Sequence, residues 1–471
     1  MSELIKQLDA IFRPKSIAFI GASNIPLKWG RLMMETALQS GYEGAIYPVS
    51  HKDEEVLGFQ AYQSILDVPG EVDLVVSAVP SAAVLQVIAE CAQKKAKAIV
   101  VITAGFAELG DKGEKLEAEA VRLAREGHIR LMGPNCQGLW SSEAKLDIVM
   151  VPQPQPGTIA YIAQSGTFTT DLAYVAAARG YGLSKLISAG NQADLTVADY
   201  LEYLGEDQDT KVIAIYMEGI KDGQRFFNIA RDVSRKKPIV IYKGGRTAEG
   251  ARATFSHTAS LSVEDYVFDA MCKQAGVLRV YEQSHLHDVI EALSKLPLPR
   301  GKRIAVMGSG GQAVVAIDVC LSMGLEVPEF DVETTKRLME YLPPHAPVPR
   351  NPVDFAAAAR TELDEGKMLD RLANLDYIDG ILTNVPLGFT ASASEEARLK
   401  VMEEGASIMA AIPKKYNKPV IAFRWRGWET EALLDYLRHA DIPVYETPED
   451  CARVMSILAK YAGYRRNIEE G

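Results

Sequence analysis

Ser16-Ile17-Ala18-Phe19-Ile20-Gly21-Ala22-Ser23-Asn24 is the stretch on which the fold turns. Its short apolar run has strand length and ends on glycine, the residue that takes a tight turn at no steric cost. The chain then leads toward a helix that begins near Gly30. Strand, glycine turn and helix open a βαβ unit, and exposed amides at such a turn suit a phosphate. The full dinucleotide fingerprint is absent, because it needs G-x-G-x-x-G and an acidic residue closing the second strand. That strand, Ala45-Ile46-Tyr47-Pro48-Val49, is followed instead by Ser50-His51-Lys52. A basic residue there favours a phosphorylated ribose, as in coenzyme A or NADP, over NAD.

The same alternation continues outward. Leu74–Val79, Ala98–Ile102, Ile159–Ala163, Val212–Met217, Ile239–Tyr242, Ile304–Met307, Gly380–Val385 and Val420–Phe423 are apolar runs separated by helical patterns. Such a series predicts doubly wound parallel sheets of the α/β class. Two breaks divide it. Val151-Pro152-Gln153-Pro154-Gln155-Pro156-Gly157 carries prolines that forbid a helix, and Leu296-Pro297-Leu298-Pro299-Arg300-Gly301 precedes a further strand. Three domains are expected, over 1–150, 151–297 and 298–471, and the last two each open with strand, glycine-rich turn and helix.

Composition narrows the function. A length of 471 residues, 48% hydrophobic and 24% charged, is globular. A net charge of -11 argues against nucleic acid as a main partner, which would need clustered Lys and Arg. No run reaches transmembrane length, and charges interrupt the N-terminal stretch, so no membrane and no secretory route are expected. Five scattered cysteines without a C-x-x-C pair fit a reducing cytoplasm and no metal site.

The segment Gly250-Ala251-Arg252-Ala253-Thr254-Phe255-Ser256-His257-Thr258-Ala259-Ser260 sets one histidine among hydroxyls and small residues. A neutral imidazole can attack phosphorus, so His257 is a candidate for phosphorylation; a helix-capping loop is the structural alternative. Glu218 ends an apolar strand, where its carboxylate can hold one imidazole nitrogen and leave the other as nucleophile. Gln164-Ser165-Gly166 begins a helix whose N-terminus faces developing negative charge, and Gly308 to Gln312 offers a second such terminus. Ser165 lacks the flanking glycines of a nucleophile elbow, with Ala163 and Thr167 in their places. Cys136, in a tight glycine loop, is placed there for room. His51, His128, His285, His287, His345 and His439 form no ligand set and are expected at the surface.

These motifs carry a resemblance. Ile20-Gly21-Ala22-Ser23, Gly41-Tyr42-x-Gly44-x-Ile46-Tyr47-Pro48-Val49, Ala104-Gly105-Phe106-Ala107-Glu108 and Gly133-Pro134-Asn135-Cys136-x-Gly138 resemble the coenzyme A-binding domain of NDP-forming acyl-CoA synthetases. Ala163-Gln164-Ser165-Gly166, Gly190-Asn191-x-Ala193-Asp194, Tyr216-Met217-Glu218-Gly219-Ile220 and Ser256-His257-Thr258 are similar to the ligase domain of that family, which is related to succinyl-CoA synthetase. Gly308-Ser309-Gly310-Gly311 and Asn351-Pro352-Val353-Asp354 resemble its third domain. The resemblance implies a Rossmann-like CoA-binding domain followed by two flavodoxin-like ligase domains. It implies His257 as phosphohistidine with Glu218 beside it, and phosphate at Gln164, Ser165, Gly166, Gly310 and Gly311. CoA contacts are implied at Gly21, Ala22, Ser23, Lys28, Lys52, Val79, Pro80, Gly105, Asn135 and Cys136. Ala259 departs from the glycine usual in the family after His-Thr.

No G-x-x-x-x-G-K-[ST] loop is present, and no segment reads as an ATP-grasp nucleotide site. The resemblance therefore implies a separate ATP-grasp beta subunit, in an alpha2beta2 heterotetramer, that holds ADP or ATP with Mg²⁺. The expected activity is reversible, ADP-forming ligation of an acid to CoA through acyl phosphate and phosphohistidine. A non-catalytic CoA-binding regulator of the same fold and an NADP-dependent dehydrogenase are the rivals.

Overall fold

Strand β1 (Ser16–Ile20) is buried along its length, and alternate side chains leave it in opposite directions. Ile17 and Phe19 join one core while Ala18 and Ile20 join another, so both faces of the strand are covered. This is what a doubly wound sheet requires of a central strand. The computed structural model describes residues 3–151, 154–258, 263–355, 364–388, 394–427 and 429–470, with side chains at all of these except 255–258.

The first sheet adds β2 (Ala45–Val49), β5 (Leu74–Ser77), β6 (Ala98–Val101) and β7 (Arg130–Met132), and a hairpin of β3 (Glu55–Val56) and β4 (Phe59–Gln60) stands apart. Its order is β2-β1-β5-β6-β7, all parallel, with Ile17 between Ile46 and Leu74. The helices of this part are α1 (Glu3–Phe12), α2 (Trp29–Gln39), α3 (Ser81–Lys94) and α4 (Asp111–Glu126).

The second sheet contains β8 (Leu139–Ser141), β9 (Leu146–Asp147), β10 (Pro156–Ala163), β11 (Leu183–Ser188), β12 (Val212–Met217), β13 (Ile239–Lys243) and β14 (Leu278–Val280). Their order is β14-β13-β12-β10-β11-β8-β9. The expectation of wholly parallel sheets is corrected at one edge, since β8 runs antiparallel to both β11 and β9. The chain thus changes sheets between Met132 and Leu139, ahead of the proline-rich stretch, and Pro156 itself opens β10. Helices α5 (Gly166–Arg179), α6 (Val197–Glu206), α7 (Gly223–Ser234), α8 (Ala248–Thr258) and α9 (Asp265–Gln274) follow its strands. Phe12 of α1 lies 4.7 Å from Tyr203 of α6, ring centre to ring centre, so the first helix of the chain packs onto the second sheet's helical layer.

Two compact units result, Met1–Gln283 and Ser284–Gly471. The boundary falls at the first residue of α10 (Gln283–Lys295), in which His287 is 4% exposed; the expectation that it lies at the surface is corrected. Leu286, Val289 and Ile290 share that helix's buried side, and the alternation of His285 and His287 about Leu286 carried no signal of it. The sheet of this unit has β15 (Ile304–Gly308), β16 (Val353–Asp354), β17 (Gly380–Asn384), β18 (Val420–Phe423) and β19 (Val444–Tyr445) in the order β16-β15-β17-β18-β19, all parallel. Helix α11 (Gly311–Ser322) leaves β15 through a glycine turn. Among the described residues no helix is long and apolar enough to cross a membrane.

Candidate functional site

At the carboxyl end of β1 the backbone of Gly21 adopts φ +88°, a left-handed conformation that glycine alone reaches without cost. A Cβ there would sit 2.9 Å from the carbonyl oxygen of Ala78, and one on Gly30 would sit 2.1 Å from that of Gly21. The helix α2 therefore packs directly on the turn, with Gly30 in the close-packing role. The expectation of exposed amides at this turn is corrected. The N–H groups of Gly21 and Ala22 both donate to the carbonyl of Val49, at 3.1 and 3.2 Å, because the turn folds back onto the end of β2.

What the turn leaves open is a cleft of about 900 Å³. Gly21, Ala22, Ser23 and Lys28 line it, with Lys52 beyond β2, Val79 and Pro80 beyond β5, and Asn135 and Cys136 beyond β7. Thr103 and Ala104 form the wall beyond β6, where Gly105 was expected. The amide of Gly105 faces Glu108, which accepts it at 2.5 Å. His51, Trp29, Gln86 and Glu90 also line the cleft and were missed from the sequence. For His51 the signal was its place beside Lys52; the others stand on helices without local pattern. Burial pushes the Cys136 thiol up to about 12, so it is a neutral, space-filling group at neutral pH.

The same cleft reaches Gln164, Ser165, Gly166 and Thr167 at the start of α5. Here the helix N-terminus presents its partial positive charge and orphan amides. Ser165 occupies the cap position without a side-chain capping bond. Gln164 is 1% exposed; its Oε1 accepts the amides of Glu218 and of Gly219, the latter at 3.1 Å, and its Nε2 is buried without a hydrogen-bond partner. A buried amide donor left unmade is costly, so Nε2 is disposed toward an acceptor. Glu218 follows β12, is 2% exposed, and receives the Tyr216 hydroxyl at 3.0 Å.

A polar network joins the loop after β11 to the loops at the end of the first sheet. Asn191 donates through Nδ2 to Glu108 at 2.6 Å and to Glu117 at 2.9 Å, while its Oδ1 accepts from Asn135. Burial alone would raise the Glu108 carboxyl, but the Asn191 hydrogen bond and the amides of Gly105 and Phe106 outweigh it and hold it below the usual range. Glu108 and Asn191 were quoted as motif residues in the sequence without a part assigned to them.

The main chain of His257 lies in α8, but its side chain falls outside the described residues, as does Ala259. In the second unit Gly310 has φ +52° and Gly311 opens α11; the amide of Gly310 donates to Asp354 at 2.9 Å.

Comparison with known proteins bears on this arrangement. Residues 15–141 match the model of a CoA binding domain, and residues 156–293 that of a succinyl-CoA ligase like flavodoxin domain. The chain is 39% identical to the alpha subunit of acetate–CoA ligase (ADP-forming) II of Pyrococcus furiosus, over 97% of this chain and 98% of that one. It is 31% identical to the 4-hydroxybutyrate–CoA ligase (ADP-forming) of Nitrosopumilus maritimus over 96% of this chain, which spans 64% of that protein. A solved structure, the dinucleotide forming acetyl-coenzyme A synthetase 1 of Ca. Korarchaeum cryptofilum in complex with phosphate and ADP, matches with a TM-score of 0.88 at 31% identity, over 98% of each chain.

Proposed function

The chain belongs to the family of ADP-forming acyl-CoA synthetases, and from that premise we propose that it is the alpha subunit of such an enzyme, converting acyl-CoA, ADP and phosphate to acid, CoA and ATP, and the reverse. The observation that carries the proposal is the single cleft lined both by the strand ends of the first sheet and by Gln164 to Thr167 at the start of α5. A thioester held by the first wall and a phosphate held by the second would meet in one cavity.

In the forward direction a phosphate oxygen attacks the thioester carbonyl, and the carbon–sulfur bond breaks to release CoA thiolate and leave acyl phosphate. His257 then attacks phosphorus, and the acid departs as carboxylate. The α5 terminus and Gln164 Nε2 supply donors to the phosphoryl oxygens. Gly310 and Gly311, at the start of α11 in the second unit, are proposed separately as phosphate-binding residues. Glu218 orients the imidazole and offsets the charge it gains. Lys28, Lys52 and the walls at Ser23, Val79, Pro80, Asn135 and Cys136 hold CoA. Gly105 supports this wall from behind, through Glu108.

ADP and its Mg²⁺ belong to a partner with an ATP-grasp fold, assembled as an alpha2beta2 complex in the cytoplasm. Two findings support a partner: the P. furiosus relative is named an alpha subunit, and the N. maritimus relative extends well beyond the part this chain matches. The test is covalent. The complex as it co-purifies from cells, given Mg²⁺ and ATP labelled at the γ-phosphate, should gain an acid-labile, base-stable label on His257. A label that survives His257→Ala, or one stable in acid, overturns the assignment.

A further inference from the structure

Glu218 is held on one side from the phosphate site and on another from outside it. Its main chain is fixed by Gln164, whose Oε1 accepts the amides of Glu218 and Gly219. Its carboxylate is met by Tyr216, two residues earlier. Residues i and i+2 of a strand leave on the same side, so the phenol reaches Glu218 Oε1 at 3.0 Å.

The hydroxyl of Tyr216 is itself given little freedom. Its ring stacks on Phe168, from the first turn of α5, at 3.7 Å between centres and 8° between planes. Tyr242 of β13 closes a further side at 5.7 Å and 48°. Beneath the hydroxyl lies Gly244, where a Cβ would come within 2.9 Å of Tyr216 Oη and 3.6 Å of Glu218 Cγ. Burial, followed by the charge of Glu218, raises the Tyr216 phenol well above its ordinary value, so it stays protonated and is the donor of this pair.

We propose that Tyr216 is a positioning residue of the reaction, which fixes the rotation of the Glu218 carboxylate for the imidazole of His257; this rests on the role given to Glu218 above. The terminal torsion of glutamate has a broad minimum, and a carboxylate without an anchor samples many planes. The phenol selects one. Because Phe168 stands one turn from Gln164 to Gly166 and Gly244 leads to the helix that carries His257, the same ring ties the carboxylate to both elements it must serve.

Tyr216→Phe keeps the ring and its stack and removes only the donor. In the co-purified complex, the maximal rate of His257 labelling from γ-labelled ATP should fall about 10- to 100-fold, the range expected for one hydrogen bond to a charged group. The KM for ATP and the affinity for CoA should remain within about twofold. On a Glu218→Gln background the same substitution should add less than about twofold, since the two act as one unit. Gly244→Ala is a second variant, in which the new methyl displaces the hydroxyl with the ring intact, and it should reproduce the slowing. If Tyr216→Phe labels at the wild-type rate while Glu218→Gln is slow, Tyr216 has no positioning role and Glu218 keeps its own. If Glu218→Gln is itself at the wild-type rate, the role of Glu218 falls and this proposal with it. A Tyr216→Phe effect that multiplies in full with that of Glu218→Gln also overturns the proposal, because it assigns Tyr216 a separate, structural part.

Discussion

Five strands of the second sheet and the five of the third share one order. Read from the same edge they run β14-β13-β12-β10-β11 and β19-β18-β17-β15-β16, and each first strand turns through glycine or a neighbour of glycine into a helix. In both, the chain reverses direction across the sheet between the first and third strands, which is where an open α/β sheet leaves its crevice. The contents of the two crevices differ. In the first unit Gln164 bridges to the backbone of Glu218, whose carboxylate takes the Tyr216 hydroxyl. In the second the corresponding strand ends with Asn384, which is 1% exposed and donates to the carbonyl of its own neighbour Val385, while its Oδ1 has no hydrogen-bond partner. Gly308 faces it, with 3.5 Å between Asn384 Oδ1 and the place a Cβ would take. Topology sets where a crevice opens, and the side chains decide whether it holds a charge.

The comparison breaks if the two crevices tolerate a carboxylate equally. Glu218→Gln should slow phosphorylation of His257 by about 10² to 10⁴, as for an orienting acid–base group, with CoA affinity nearly unchanged. Asn384→Asp places a carboxylate in the other crevice without a Tyr216 to meet it, and should cost about 2 kcal/mol or more in denaturant unfolding at neutral pH. Equal stability of Asn384→Asp and wild type would mean that the second crevice already provides donors for an anion.

A second difference concerns protons. Glu365, at the start of a helix in the second unit, is fully buried; burial pushes its carboxyl up to about 8, against the opposing pull of the amides of Leu387 and Gly388. The folded state therefore holds a proton that the unfolded chain has released above its ordinary value of 4.5. Stability from this group is fully present below pH 4.5 and is lost as pH rises toward about 8, by at most about 1.4 kcal/mol per unit. Asp207 of the first unit behaves in the opposite sense. Burial would raise it, but hydrogen bonds from Lys185 and Thr210 prevail and hold it low, so its contribution fades only as pH falls below its ordinary value. Glu365→Gln should flatten the decline in the second unit's melting temperature between pH 5 and pH 8, while the first unit's melting profile stays as it was. An unchanged slope would show that Glu365 is ionised in the fold.

The smallest expected effect separates the two helix starts. A Cβ on Gly166 would meet Gln137 Cγ at 2.7 Å, whereas one on Gly311 would meet nothing within 4 Å. Gly166→Ala should destabilise by about 1 kcal/mol as Gln137 is displaced. Gly311→Ala should be neutral, or stabilising by about 0.5 kcal/mol through helix propensity. Thermal unfolding of the pair measures it, and equal losses would place an unseen neighbour against α11.

Much of the fold was legible because its signals are local. Uncharged runs such as Ser16 to Ile20 and Val212 to Met217 became strands with the bounds expected of them, and Gly21 after β1 and Gly310 before α11 stand at turns with positive φ. Most strands that went unread, among them Arg130–Met132, Leu278–Val280 and Val353–Asp354, are two or three residues long and hold no period to detect; the exception is Leu183–Ser188, six residues long, whose apolar run is broken by Ser184 and Lys185. Leu139–Ser141 was equally silent, since its place in the second sheet depends on the antiparallel pairing of Trp140 with Leu186.

By itself the sequence determined the doubly wound class, the positions of the glycine turns, the acidic balance, and the order of motifs that carries the family, since each is a property of neighbouring residues or of composition. Only the tertiary structure decided what those motifs do for one another. It turned the Gly21 and Ala22 amides onto Val49, brought His51 and Gln164 into one cleft, and set Tyr216 between Phe168 and Gly244. Those contacts join residues tens to more than a hundred positions apart. Their energies are gained only when separate strands and helices pack, and no local pattern in the chain encodes which surfaces will meet.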